Sequence, residues 1–323
     1  MVDRREFLGA WASLALSAMS APEAAAPQTE APAGGGSESF PGFERQDIRT
    51  QGAVIHTLRG GSGPPLLLLH GFPQTHVEWH KIAAELARSY TVVMTDLRGY
   101  GASSKPDSGT DHSGYSKRAM AQDQVEVMRR CGHERFFVVG HDRGGRVAHR
   151  MALDHPDRVA KLAVIDIVPT YKLFHPVTKE FATAYYHWFF LIQPAPFPET
   201  LLSNSLDFWL DRSFSNSKAF TREAVALYKR AMADRETLHA ACEDYRAAAS
   251  VDLVHDEADL SKKIDCPLLV LWGERASMHR LYDVLATWRE RTTQVTGKPM
   301  PSGHFLPEEI PQEMLLELRT FLG

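Results

Sequence analysis

The chain has 323 residues, 44% apolar and 24% charged, which is ordinary globular composition with material for a large core. Lys and Arg number 36 against 40 Asp and Glu, a formal net charge of −4, and no long basic block lies outside the N-terminus, so nucleic acid is not the expected partner. Three widely spaced cysteines, Cys131, Cys242 and Cys266, form no Cys-x-x-Cys and no Cys/His ligand set, so neither a disulfide framework nor a metal site is expected.

At the N-terminus Asp3-Arg4-Arg5-Glu6-Phe7-Leu8 leads into an apolar, Ala-rich segment from Gly9 to Ala21, and Ala24, Ala25 and Ala26 could serve a cleavage site. Paired arginines before Phe-Leu resemble a twin-arginine export signal over residues 1–26, which points to the periplasm. A cytoplasmic protein with an uncleaved or mis-started N-terminus is the alternative. The apolar run is too short to span a bilayer comfortably, so no membrane span is expected in the mature protein. Residues 27–41, rich in Pro, Gly, Ser and Glu, read as a flexible linker.

The folded part begins near Phe40. Gly52 to Arg59 reads as an opening strand, and Pro65 to Leu69 as a strand buried on both faces, ending in His70-Gly71-Phe72-Pro73. Trp79 to Arg88 is helical in period, Tyr90 to Thr95 is a further strand, and Asp96 to Gly101 is a Gly-punctuated loop. His70 is expected to shape its loop, and Asp96 to accept backbone N–H groups. Ser116 to Cys131 reads as an amphipathic helix, Phe136 to Val139 as a strand and Val159 to Ile165 as another, an alternation that implies α/β architecture with a mostly parallel sheet. This first part of the core covers 42–167. From 168 to 259 the alternation stops in an aromatic-rich stretch with helical period, read as an inserted helical cap over the strand ends. The core resumes over 260–323, with a strand at Pro267 to Trp272, a helix around Leu281 to Glu290, a short strand near Thr293 to Thr296 and a final helix from about Pro311 to Phe321.

The chemistry centres on Gly140-His141-Asp142-Arg143-Gly144-Gly145-Arg146. A strand, a turn tight enough to need glycines and a helix place Asp142 at the strand's end, where a carboxylate can displace a leaving group from saturated carbon and form an ester. Taken alone, Asp142 could instead merely cap the helix. His304, in Ser302-Gly303-His304-Phe305, stands where a base could activate water against that ester. Its carboxylate partner is Asp166, after the strand that follows the elbow, or Glu274, in Trp272-Gly273-Glu274; position alone leaves both open. The backbone N–H groups of Phe72 and Arg143 are expected to form an oxyanion hole. Arg143 and Arg146, cations in the first turn of a helix, call for a nearby anion, and a substrate carboxylate would supply one. His187, Trp188 and Tyr245 could surround a departing halide, or simply pack the cap.

In combination these motifs, with His70-Gly71-Phe72-Pro73-Gln74-Thr75-His76, Asp166-Ile167-Val168-Pro169-Thr170, Tyr186-His187-Trp188 and Cys242-Glu243-Asp244-Tyr245-Arg246, resemble the haloacetate (fluoroacetate) dehalogenases from about Phe40 to the end. The resemblance implies an α/β-hydrolase fold and hydrolysis of a small halogenated carboxylic acid by water to glycolate and halide. It implies Asp142 as nucleophile, His304 as base, Asp166 rather than Glu274 as its partner, Arg143 and Arg146 on the carboxylate, and His187, Trp188 and Tyr245 on the halide. It also implies a cofactor-free enzyme, commonly a homodimer, and a cytoplasmic setting from which the export-like leader departs. Epoxide hydrolysis uses the same nucleophile and base but wants tyrosine acids. A non-catalytic receptor on the same fold has no need of nucleophile, base and acid together.

Overall fold

The computed structural model describes residues 40–214 and 219–323; the export-like leader and the linker up to residue 39 lie outside the described residues. Phe40, the first described residue, is already buried against Phe43 and His76.

Eight strands form one sheet. They are β1 (Phe43–Arg49), β2 (Val54–Gly60), β3 (Pro65–Leu69), β4 (Thr91–Thr95), β5 (Phe136–His141), β6 (Val159–Ile165), β7 (Leu268–Gly273) and β8 (Val295–Met300), in the order β1-β2-β4-β3-β5-β6-β7-β8. The first two pairings are antiparallel and the rest parallel. Leu66 to Leu69, Val92 to Met94 and Leu162 to Ile165 are fully buried, as expected of strands covered on both faces by helices. Register then fixes where the loops emerge. His141 pairs with Ile165, and Ile165 with Leu271, so the first residues past β5 and β6, Asp142 and Asp166, leave one edge of the sheet side by side.

Three elements differ from the sequence reading. The opening strand is half of a hairpin: β1, Phe-Glu-Arg-Gln-Asp-Ile-Arg, lies at the sheet edge with most side chains exposed, so it shows no apolar pattern. The helix expected over Trp79 to Arg88 is a 3-10 turn, His76–Trp79, followed by one short helix, Ala83–Leu86; Trp79, Ile82, Ala83 and Leu86 are all buried without a continuous helix. The last strand runs to Met300 and contains Pro299, which an edge strand tolerates because no further strand needs its N–H.

Between β6 and β7 the described residues form helices only, from Thr170–Phe174 to Val251–Ala258. The longest is Phe197–Phe214, broken at Ser205, followed by Arg222–Met232 and Arg235–Ala248. This insertion is tied to the sheet's C-terminal edge by polar contacts. Tyr228 donates to Glu308 at 2.7 Å and accepts from Gln74 at 3.3 Å, and Asp244 pairs with Arg143. No helix among the described residues is long and apolar enough to cross a membrane.

Candidate active site

The turn after β5 is built as its glycines demand. Asp142 has φ of +44°, a conformation that costs an L-residue roughly 1–2 kcal/mol and that Asp tolerates better than most. A Cβ on Gly144 would come within 2.3 Å of the Leu69 carbonyl oxygen, and one on Gly140 within 2.5 Å of the Gly144 oxygen, so neither position accepts a side chain. The turn is pinned to the neighbouring loop by a hydrogen bond from Gly144 N–H to the His70 oxygen, 2.9 Å. From that loop Phe72 N–H donates to Asp142 Oδ1 at 3.1 Å. The Arg143 N–H lies in the first turn of the Asp142–Asp154 helix, where amides have no intrahelical acceptor.

His304 and Asp166 meet across the sheet edge. His304 Nδ1 lies 2.5 Å from Asp166 Oδ2, and Asp166 Oδ1 accepts the Gly273 N–H at 3.0 Å. Asp166 also has positive φ, +51°, so both aspartates stand on strained turns of adjacent strands. Glu274, the other candidate, is about half exposed beside Arg275 and does not reach the histidine. His70 and Asp96 play the structural parts expected. His70 Nε2 accepts the Leu97 N–H, and Asp96 accepts from the backbone of His76 and Ala102. His56, His76 and Asp96 do bring one possible ligand atom each within 4.8 Å, but the Asp96 oxygens are already engaged by His76 and Ala102.

Asp142, His304, His187, Tyr185 and Tyr245 line one cavity of about 350 Å³. A larger one, about 430 Å³ between His149, Lys172 and Arg291, contains none of the expected site residues. Burial alone would raise the Asp142 carboxyl, but the charges of His304, His141, Arg146 and Arg143 outweigh it and hold it at about 2. Asp142 is therefore a carboxylate at any physiological pH. Burial pushes His187 down to about 4, so it is a neutral imidazole with one N–H to donate.

The arginines differ in how they are compensated. Arg143 is wholly buried and already has one counter-ion in the protein, the Asp244 side chain. Arg143 Nε and Nη2 donate to Asp244 Oδ2 and Oδ1 at 2.8 and 2.7 Å, and Asp244 also takes the Tyr100 hydroxyl and the Lys117 ammonium. Only Arg143 Nη1 is left without a partner. Arg146 donates from Nη1 to the Val168 oxygen and Thr170 Oγ1, while its Nε and Nη2 are unpaired, and no carboxylate bonds to it directly. Burial accordingly pulls its guanidinium down to about 10. Trp188 lies under both arginines, 5.2 and 4.6 Å from ring centroid to guanidinium carbon, and its buried N–H is also unpaired. Tyr245 stacks on Arg143 at 4.2 Å and meets Trp188 and His187 edge to face. The residues read from sequence thus converge; Asp244, one position before Tyr245, carries no signal of its own beyond being a carboxylate in a helix that proves buried.

An ionised carboxylate on a strained elbow, a histidine in the same cavity bonded to an aspartate, and buried donors without acceptors make a set that suits a hydrolase. The family model described as alpha/beta hydrolase fold matches residues 64–311, and the chain belongs to that family. More particularly, it is 45% identical over 289 residues to fluoroacetate dehalogenase of Burkholderia sp, covering 88% of this chain and 95% of that one. It is 33% identical to the soluble epoxide hydrolase of Corynebacterium sp. (strain C12), over 81% of this chain and 91% of that one. Among solved structures, ALR0039 from Nostoc sp PCC 7120 is 57% identical with a TM-score of 0.85, covering 87% of this chain and 98% of that one.

Proposed function

We propose that the protein hydrolyses 2-haloacetates to glycolate and halide. The observation that carries this reading is the unpaired donor set, Arg143 Nη1, Arg146 Nε and Nη2 and Trp188 Nε1, packed beside a carboxylate held ionised. Two anions have to be held in this reaction, the substrate carboxylate and the leaving halide, and buried donors without acceptors are costly unless an anion uses them. The kinship with fluoroacetate dehalogenase supports the same substrate class.

In the first step an Asp142 oxygen attacks the halogen-bearing carbon from the side opposite the halogen. The C–O bond forms as the carbon–halogen bond breaks, and the halide leaves with the bonding pair toward His187, Trp188 and Tyr245. In the second, His304 takes a proton from water, helped by Asp166, which favours the imidazolium. The hydroxide adds to the Asp142 ester carbonyl, whose oxyanion is held by the N–H groups of Phe72 and Arg143. Collapse expels the glycolate alkoxide, which takes the proton held on His304, and the second water proton leaves the Asp142 carboxyl to solvent, so Asp142 is again a carboxylate. The arginine-paired leader supports action outside the cytoplasm, which cell fractionation would test.

The direct test is halide and glycolate release from fluoroacetate and chloroacetate by the wild type beside Asp142→Asn and His304→Asn. Abolished release in the first variant and an ester trapped on Asp142 in the second are expected. Epoxide hydrolysis is the second reading, favoured by one observation: Tyr185 and Tyr245 line the cavity, and burial pushes both hydroxyls well above their ordinary value, so both stay protonated and can donate a hydrogen bond to a ring oxygen. Turnover of an epoxide with no halide release from either acid would establish it in place of the first.

A further inference from the structure

A fully buried carboxylate, Glu78, lies behind Asp142 and has no part in the steps above. It sits in the 3-10 turn His76–Trp79, between the buried side chains of Val77 and Trp79. Its Oε2 accepts the Gly71 N–H at 2.8 Å, and its Oε1 lies 2.9 Å from His141 Nδ1, a charge contact off the hydrogen-bonding direction. On its far side His141 donates from Nε2 to the His304 carbonyl oxygen at 2.9 Å, and the two imidazole rings are 4.7 Å apart. The packing is close: a Cβ on Gly71 would lie 2.8 Å from Asp142 Cβ and 2.9 Å from His141 Nδ1. Glu78 and His141 therefore join the residue before the Phe72 donor, the residue before Asp142 and the backbone of His304.

We propose that Glu78 is a positioning residue: it holds His141 as a buried imidazolium that anchors the His304 backbone and offsets the charge of Asp142. The kinetic part of this inference rests on the dehalogenase reading. A neutral imidazole has one N–H, yet here one nitrogen donates to a carbonyl while the other faces a carboxylate, so the arrangement suits the doubly protonated ring. Burial alone would strip that proton, but Glu78, with Asp142 and Asp166 behind it, raises His141 to about 9. The groups facing the ring are Glu78 from the turn, Asp142 from the elbow, Asp166 from the end of β6, and His304 and Phe305 from the C-terminal loop. Glu308 stands beyond Glu78, against Tyr228 and Lys81. With His141 neutral, Glu78, Asp142 and Asp166 would crowd three negative charges into one buried region, and like charges there disfavour ionisation of the nucleophile.

Glu78→Gln keeps the side-chain shape and an acceptor for Gly71 while removing the charge. In the full-length chain, 15N-labelled histidine NMR at pH 7.5 should show His141 as imidazolium in the wild type and as a neutral ring in the variant. Losing a cation beside Asp142 raises the pH needed to ionise it. The acidic limb of kcat/KM for chloroacetate should then move up by about one pH unit, a loss of about tenfold on that limb, with a loss of less than about threefold above pH 8. Glu78→Asp, which keeps the charge, should restore the wild-type limb. A neutral His141 in the wild type, an imidazolium retained in Glu78→Gln, or an equal loss at every pH shared by Glu78→Asp would overturn the inference. A wild type that releases no halide overturns the proposed function instead, and the NMR signature then decides the Glu78–His141 pair independently.

Discussion

Asp244→Asn removes one charge from a place where solvent cannot replace it. The Asp244 carboxylate receives Arg143 at 2.8 and 2.7 Å, the Tyr100 hydroxyl at 2.7 Å and the Lys117 ammonium, and all four side chains are buried. Deleting one partner of a buried pair leaves its counter-ion uncompensated, at a cost of about 3–5 kcal/mol, a large share of a total stability of about 5–15 kcal/mol. With a urea slope of about 3 kcal/mol per M, a loss of about 4 kcal/mol moves the unfolding midpoint down by roughly 1.3 M. The loss has a pH signature as well. Burial and the neighbouring Arg143 already pull Lys117 below its ordinary value, and without Asp244 it can shed its proton as pH rises. Urea unfolding followed by tryptophan fluorescence should therefore show a larger penalty at pH 6 than at pH 9. A midpoint within roughly 0.3 M of wild type at both pH values would refute the assignment of Asp244 as the counter-ion that lets Arg143 be buried.

Stability should also report on His141. Its value is raised from 6.5 to about 9, so its contribution is fully present below pH 6.5 and lost as pH rises through 9, about 3 kcal/mol in all; urea midpoints at pH 6, 8 and 9.5 should fall in that order for wild type and fall less for Glu78→Gln. Asp166→Asn should lower halide release by about three to four orders of magnitude through loss of the imidazolium's partner, while Glu274→Gln, on an exposed side chain, should change it less than about twofold; steady-state rates of both variants would reverse the assignment if the second fell and the first did not. Trp188→Phe deletes a buried, unpaired donor, so urea unfolding should show a change within about 1 kcal/mol, while halide release drops about 10- to 100-fold; unchanged release would remove Trp188 from the leaving-group pocket.

Much of the core was legible because buried parallel strands announce themselves. Leu66 to Leu69, Val92 to Met94 and Leu162 to Ile165 are continuous apolar runs, and the glycines around Asp142 report a turn that no other residue fits. What escaped was structure stabilised by something other than an apolar stripe. β1 is an exposed edge held by backbone pairing, one Asp47–His56 side-chain contact and the buried Ile48, and the turn at His76–Trp79 is held in part by the Thr75 cap and by Asp96 accepting the His76 N–H. In the site, Asp142, Asp166 and His304 were legible as residue types after the strands now seen as β5, β6 and β8, and register brought them together. Asp244 and Glu78 were not, because a buried counter-ion is indistinguishable in sequence from a solvated one. Glu78 does leave a trace, an acid set between Val77 and Trp79, but such a trace acquires meaning only when the space around it is known.

The order of the chain bears on how the enzyme comes into being. β5, which delivers Asp142, finds its neighbours β3 and β6 by Ile165, whereas His304 follows β8. If the proposed chemistry holds, translation supplies the attacking group before the group that frees it. On the proposed chemistry, a nascent or C-terminally clipped chain that met a haloacid could be alkylated once and never discharged. On that chemistry, the arrival of His304 is what turns a reagent consumed by its own reaction into a catalyst.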